Sequence, residues 1–152
     1  MAAKPLTPKC AALAEEWREA AWRDQESAET LRSSGRDWSS VYWHSGFAIE
    51  KMVKAVRVKK YDLEDWPASD QSARWHEISF VANRSSISAE ISAESARDLA
   101  FSAYWLTVKD WDHRRRYPPN SPTEREARDL LTAVGNPTSG VMRWLLQIYH
   151  SI

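Results

Sequence analysis

The sequence predicts an all-α fold, a helical bundle of about five to six helices, on three observations. Apolar residues recur at helical spacing over long windows, no segment alternates with period two, and helix start and stop signals fall between the periodic windows. There is no Asn-Gly or Asp-Gly hairpin pair and no internal repeat. A chain of 152 residues is enough for one domain spanning 1–152 with a substantial core.

The elements follow in order. Thr7-Pro8 reads as an N-cap with proline at the first helical position, opening a helix to about Leu31 that Ser33-Ser34-Gly35 ends. A second helix is expected over Asp37–Lys60, with Trp38, Val41, Tyr42, Ile49, Met52, Val53 and Val56 at helical spacing. After the Trp66-Pro67 break, Ser69 or Asp70 can cap a shorter helix through Trp75, Ile78, Phe80 and Val81 toward Asn83. The run 85–92 reads equally as loop or helix. Ala93–Lys109 then carries an uninterrupted pattern through Ala96, Leu99, Ala103 and Leu106. Ser121-Pro122-Thr123-Glu124 fits a capping box for a helix to Val134, Gly135-Asn136-Pro137 stops it, and Thr138 or Ser139 starts the last helix.

Composition narrows the chemistry. Twenty-one basic and twenty-one acidic residues cancel, so any nucleic-acid affinity must come from a local patch. Four glycines and the absence of a G-x-G-x-x-G or P-loop pattern argue against a phosphate-cradling nucleotide fold, and no cofactor is expected. Cys10 is the only cysteine, which excludes an internal disulfide; the histidines show no metal-ligand spacing, so no metal is expected. Charges within the first twenty residues interrupt any signal-peptide core, and no apolar run approaches the ~18 residues a membrane span needs. A cytoplasmic protein without membrane association is the expectation.

The second helix has two unlike flanks. One wide arc from Trp38 to Val56 is core. The opposite stripe carries Trp43, Phe47, Glu50 and Lys54, with His44 at its boundary; Gly46 lies within the core arc, at a position where something packs closely. Bulky aromatics beside an ion pair suit a covered surface: neighbouring helices of the same domain, a homodimer seam, or a ligand groove. His44 and Glu50 lie about 120° apart around the helix, so an acid–base set of His44, Glu50 and Lys54 can form only across a partner. His76, beside Trp75, reads as an interhelical histidine rather than a ligand.

The block Val41–Ala55, with Tyr42, His44, Gly46, Phe47, Ala48, Glu50, Val53, Lys54 and Ala55, resembles a helix of the small prokaryotic HEPN domain. Looser similarities lie in Leu13-Ala14-Glu15-Glu16 with Trp22, Arg36-Asp37-Trp38, His76-Glu77-Ile78, Trp111 with Arg116-Tyr117, and Gly140-Val141-Met142-Arg143-Trp144-Leu145. The resemblance implies an up-and-down bundle that commonly dimerises. It also implies either a metal-independent ribonuclease of toxin–antitoxin, phage-defence or CRISPR-associated systems, or a non-catalytic partner in one. The nuclease signature of such proteins is an arginine followed by a histidine about two helical turns on. Here only Arg143 and His150 have that spacing, on one face within about 20° and separated by a rise of ~10.5 Å. As catalytic candidates, His150 would move the 2′-hydroxyl proton and Arg143 would stabilise the charged phosphorane.

Arg114, Arg115, Arg116 and Tyr117 form the concentrated basic run, a candidate RNA or phosphate contact in which guanidinium forks grip phosphate and the tyrosine stacks on a base. Pairing with nearby acidic residues is the structural alternative. The expected function is thus an RNA- or nucleotide-associated HEPN-like component of a toxin–antitoxin or phage-defence type system, working as a homodimer. The alternatives are an active metal-independent endoribonuclease using Arg143 and His150, or a structural or adaptor subunit docked on a partner protein.

Overall fold

The computed structural model describes residues 4–152, apart from the side chain of Arg116. It is all-helical, with seven α-helices and no strand among the described residues: α1 (Pro8–Ser34), α2 (Trp38–Lys60), α3 (Ile78–Arg84), α4 (Ser88–Arg97), α5 (Leu99–Lys109), α6 (Glu124–Gly135) and α7 (Val141–Ser151). Three short 3-10 turns, Ala68–Asp70, Ala73–His76 and His113–Arg116, sit in the connections. No helix is long and apolar enough to cross a membrane.

α1 and α2 form an antiparallel hairpin that organises the rest. Thr7 caps α1 through its side chain, which accepts from the Cys10 amide at 3.2 Å, and Gly35 ends the helix in the left-handed region at φ 66°. Only glycine adopts that conformation without a Cβ penalty, so the chain reverses there. Asp37 then caps α2, accepting from the Ser40 amide at 3.0 Å. The far ends of the hairpin meet where the buried Cys10 thiol donates to the Val58 carbonyl, and burial pushes that thiol up to about 11.

α2 is the axis, packed against α1, α3, α6, α7 and the 113–116 turn. Val41, Ile49, Met52, Val53, Val56 and Val58 are fully buried and meet a core that includes Phe101, Leu130, Val134, Trp144 and Leu145. Each such side chain contributes on the order of 1.5–3 kcal/mol by leaving water. That sum is set against the entropy of ordering the chain.

Four boundaries differ from the sequence expectation. Asp70 does not cap a helix to Asn83; Arg57 takes its carboxylate at 3.0 Å and Trp66 Nε1 donates to its carbonyl at 2.8 Å. The segment is therefore two 3-10 turns, and an extended Glu77 (φ −86°, ψ 113°) separates them from α3. Ala93–Lys109 is not one helix. Asp98 is extended (φ −132°, ψ 105°), caps α5 through the Ala100 and Phe101 amides, and accepts from Ser139 Oγ at 2.8 Å through its second oxygen.

Of the ambiguous 85–92 run, 85–87 form the turn after α3 and Ser88 begins α4. The capping box is Thr123 with Glu126 rather than Ser121 with Glu124, because the reciprocal bonds need the glutamate three residues after the cap and Thr123 has the extended backbone for it. α7 begins after Gly140, with Asn136 Oδ1 holding the Thr138 and Ser139 amides.

Candidate functional site

Two carboxylates anchor the polar side of α2. Asp24 of α1 is 8% exposed; its Oδ1 pairs with His44 Nδ1 at 2.7 Å and its Oδ2 with Lys51 Nζ at 2.5 Å. Glu50 is 1% exposed and its Oε1 serves two partners, Lys54 Nζ at 2.5 Å and His76 Nδ1 at 3.0 Å. Its Oε2 is buried with no hydrogen-bond partner. Gln25 Oε1, Arg57 Nε and Arg143 Nε are buried in the same way.

Lys54 reaches Glu50 from the next turn of α2 and lies 5.3 Å and 5.4 Å from the ring centres of Trp17 and Trp66. The two indoles meet edge to face at 5.5 Å, and Trp66 continues through Trp75 to Phe80. A buried cation thus has one carboxylate and two aromatic faces, the set that makes its desolvation tolerable. Glu50 and Lys54 are enclosed by their own chain and offer no surface to a second copy. His44 and Glu50 diverge as their spacing requires, and each meets a group from another element.

Trp111 covers Phe47. Its indole lies 5.0 Å from the Phe47 ring and is itself buried, and a Cβ on Gly46 would fall 2.1 Å from it. The close packing expected at Gly46 is therefore this indole. Trp43 and Phe47 are half-buried and in edge contact at 4.6 Å. The loop carrying Trp111 is pinned where the Asp112 amide donates to Tyr42 Oη at 3.1 Å. Arg114 returns to grip the Asp112 carboxylate at 3.0 Å.

That loop and the Ala73–His76 turn enclose a cleft of ≈ 360 Å³. His76 and His113 line it with ring centres 4.9 Å apart; Arg74, Lys109 and Arg114 supply cationic groups, and Glu77, Asp110 and Asp112 supply opposing charge. Burial, reinforced by the neighbouring His76 imidazole, lowers the His113 pKa from its usual value. A carboxylate only accepts, so the bond to Glu50 places a proton on His76 Nδ1 and leaves Nε2 as its second ring nitrogen. Among the described residues no three His, Cys, Asp or Glu side chains form a metal-binding group.

The sequence-proposed residues are dispersed. Arg115 is not a free phosphate fork: Glu126 holds it in a bidentate pair, with 3.1 Å from Nη2 to Oε1, and it lies over the Tyr42 ring at 5.4 Å. That pairing lowers Glu126 to about 2. Arg114 faces the cleft, Tyr117 is exposed beside Trp43 and Asp37 in a separate depression, and the Arg116 side chain lies outside the described residues. Arg143 is half-buried with its Nε unpartnered, whereas His150 is exposed against Tyr149 at 5.3 Å. Neither lines the histidine cleft.

Sequence reasoning missed His76 and His113 as a pair, and Arg74 and Lys109 beside them. No local signal joins positions 76 and 113; the packing of Trp111 onto Gly46, the Asp112–Tyr42 bond and the His76–Glu50 bond bring them together. Set against protein-family profiles, characterised proteins and solved structures, the chain matches none.

Proposed function

We propose that the protein is a HEPN-like helical bundle that binds RNA or nucleotide phosphate in the His76–His113 cleft, as a component of a toxin–antitoxin or phage-defence type system. The observation that carries this reading is the cleft itself: two imidazoles and Lys109 around one concave space beside the aromatic loop, with Arg74 and Arg114 at hand through ion pairs to Glu77 and Asp112 that a phosphate would have to displace. Guanidinium and ammonium groups attract phosphate, and imidazoles hydrogen-bond to it without requiring a strongly basic surface. Arg143 and His150 remain the alternative site for a metal-independent endoribonuclease, on α7 and apart from this cleft.

Anisotropy of a labelled single-stranded RNA, titrated with protein at several salt concentrations, tests the reading. Affinity should fall as salt rises, and each of Arg74→Ala, Lys109→Ala and Arg114→Ala should weaken binding and reduce the salt slope by about one. RNA that fails to bind, or binds the triple variant as well as the wild type, overturns it.

Homodimerisation is a second reading with its own support, on a face other than the one expected from the sequence. Leu99 and Leu106 on α5 are 82% and 52% exposed, and with the exposed Ala103 between them they follow the alternating four-and-three spacing of a helix–helix seam. Light scattering should find a dimer that Leu106→Glu dissociates; a monomer at high concentration removes this reading, and capture of a different protein through α5 replaces it with the adaptor reading.

A further inference from the structure

We infer that His76 and His113 are the two protein ligands of a zinc-type dication held at the wall of this cleft, with the Glu50 carboxylate fixing the His76 ring from behind. The inference goes beyond the phosphate reading and does not depend on it, because the protein alone holds the ion.

The bond behind His76 is the first support. Its Nδ1 donates to Glu50 Oε1 at 3.0 Å, and that carboxylate is almost fully buried and held by Lys54 as well. A carboxylate on one ring nitrogen orients a metal-binding imidazole and makes its other nitrogen the better donor. For His76 that nitrogen is Nε2, on a side chain 41% exposed where it lines the cleft. His44 has a carboxylate behind it too, but its ring neighbour is Trp43 at 4.8 Å. The bond alone does not make a site; His76 adds a second imidazole.

Spacing is the second support. An ion about 2.1 Å from one nitrogen of each ring, with about 90–110° between the two bonds, sets the ring centres about 4.5–5.2 Å apart. The centres of His76 and His113 are 4.9 Å apart, with their planes tilted by 44°. Among the described residues, no hydrogen bond occupies either ring nitrogen of His113. One of them is open to a ligand.

No third His, Cys, Asp or Glu completes the set among the described residues, so the remaining positions belong to water or to an oxygen ligand from outside. The charges lining the cleft offset one another, Arg74, Lys109 and Arg114 against Glu77, Asp110 and Asp112, so a dication meets no excess of positive charge. Two imidazole nitrogens select zinc and its late first-row neighbours over magnesium or calcium, which take oxygen. The histidines belong to the Ala73–His76 and His113–Arg116 turns, and the ion ties these two walls together.

Tag-free protein, stripped with EDTA and dialysed, is titrated calorimetrically with zinc chloride in the absence of RNA. Wild type should bind one equivalent. His76→Gln and His113→Gln should each lose more than the about 10–100-fold that removal of an outer partner alone costs, while His44→Gln and His150→Gln retain the site. Zinc should raise the melting temperature of the wild type and of neither cleft variant. In nitrogen NMR of the wild-type histidine rings, zinc should move His76 Nε2 and one nitrogen of His113 while His76 Nδ1 keeps its proton, a signature that a damaged fold cannot imitate. No binding by the wild type, binding undiminished in either cleft variant, loss in His44→Gln or His150→Gln, or displacement of the His76 Nδ1 proton overturns the inference. RNA anisotropy repeated in EDTA keeps the two readings apart: RNA that binds without zinc leaves the phosphate reading standing after a blank zinc titration, and zinc bound by protein that ignores RNA leaves this inference standing alone.

Discussion

Two lysine–carboxylate–histidine sets lie along α2, and they differ in how completely each is satisfied. In the Asp24 set both carboxylate oxygens are used, one on His44 and one on Lys51, and all three groups join α1 to α2. In the Glu50 set one oxygen carries both Lys54 and His76 while the other is buried and idle, and the histidine opens onto a cleft with a second imidazole. The first arrangement is a staple between two helices. The second holds a buried charge through a single oxygen at the edge of a surface cleft.

Lys54→Ala should break this comparison most severely. It strips the buried Glu50 of its cation and leaves Trp17 and Trp66 around a void, for a loss of about 3–5 kcal/mol in urea unfolding. Asp24→Ala removes a carboxylate from partners that retain water, with side chains 24% and 28% exposed, so about 1–2 kcal/mol is expected in the same measurement. Equal losses at the two sites would mean that the sets are alike and that the idle oxygen has no significance.

Gly46→Ala tests the cover rather than the charge. Its methyl group collides with the Trp111 indole, so the loop must lift, at a cost of about 1–3 kcal/mol. Tryptophan fluorescence should report the displaced indole, and RNA affinity should fall although no residue lining the cleft has changed. Unaltered binding would separate the cleft from the Trp111 packing.

Acid distinguishes the regions further. His113 is depressed in the folded protein, so the unfolded chain binds more protons in that window. Stability therefore holds above the unfolded histidine value of about 6.5 and declines as pH falls from there toward the lower folded value. Asp112, Arg114, Glu50 and His76 surround the ring and set the size of the effect. His113→Asn should flatten that part of a stability–pH curve.

Glu126, lowered to about 2 by Arg115, contributes stability above the unfolded glutamate range and loses it as pH falls toward about 2. The pair is partly solvated, with side chains 29% and 41% exposed, so Glu126→Gln should cost under about 1 kcal/mol at neutral pH and reduce the acid slope.

Much of the fold was legible because helices are local. Thr7-Pro8, Gly35, Asp37 and the α2 periodicity each act within a few residues, and each stands where its chemistry placed it. Boundaries went astray where a side chain had a distant rival partner: Asp70 is drawn away by Arg57, and Asp98 bridges to Ser139 while breaking what reads as one helix. The same competition governs the basic run, where Glu126 claims Arg115 and Asp112 claims Arg114.

By itself the sequence determined an all-helical chain, the two unlike flanks of α2, and a close neighbour for Gly46, since periodicity and backbone sterics need no knowledge of what lies across the core. Only the tertiary structure decided that the neighbour is Trp111, that Lys54 sits between two tryptophans, and that His76 and His113 share a cleft. Side chains far apart in the chain meet only after the core has set the relative placement of its helices. Their chemistry, unlike helix formation, depends on distances that no local pattern encodes.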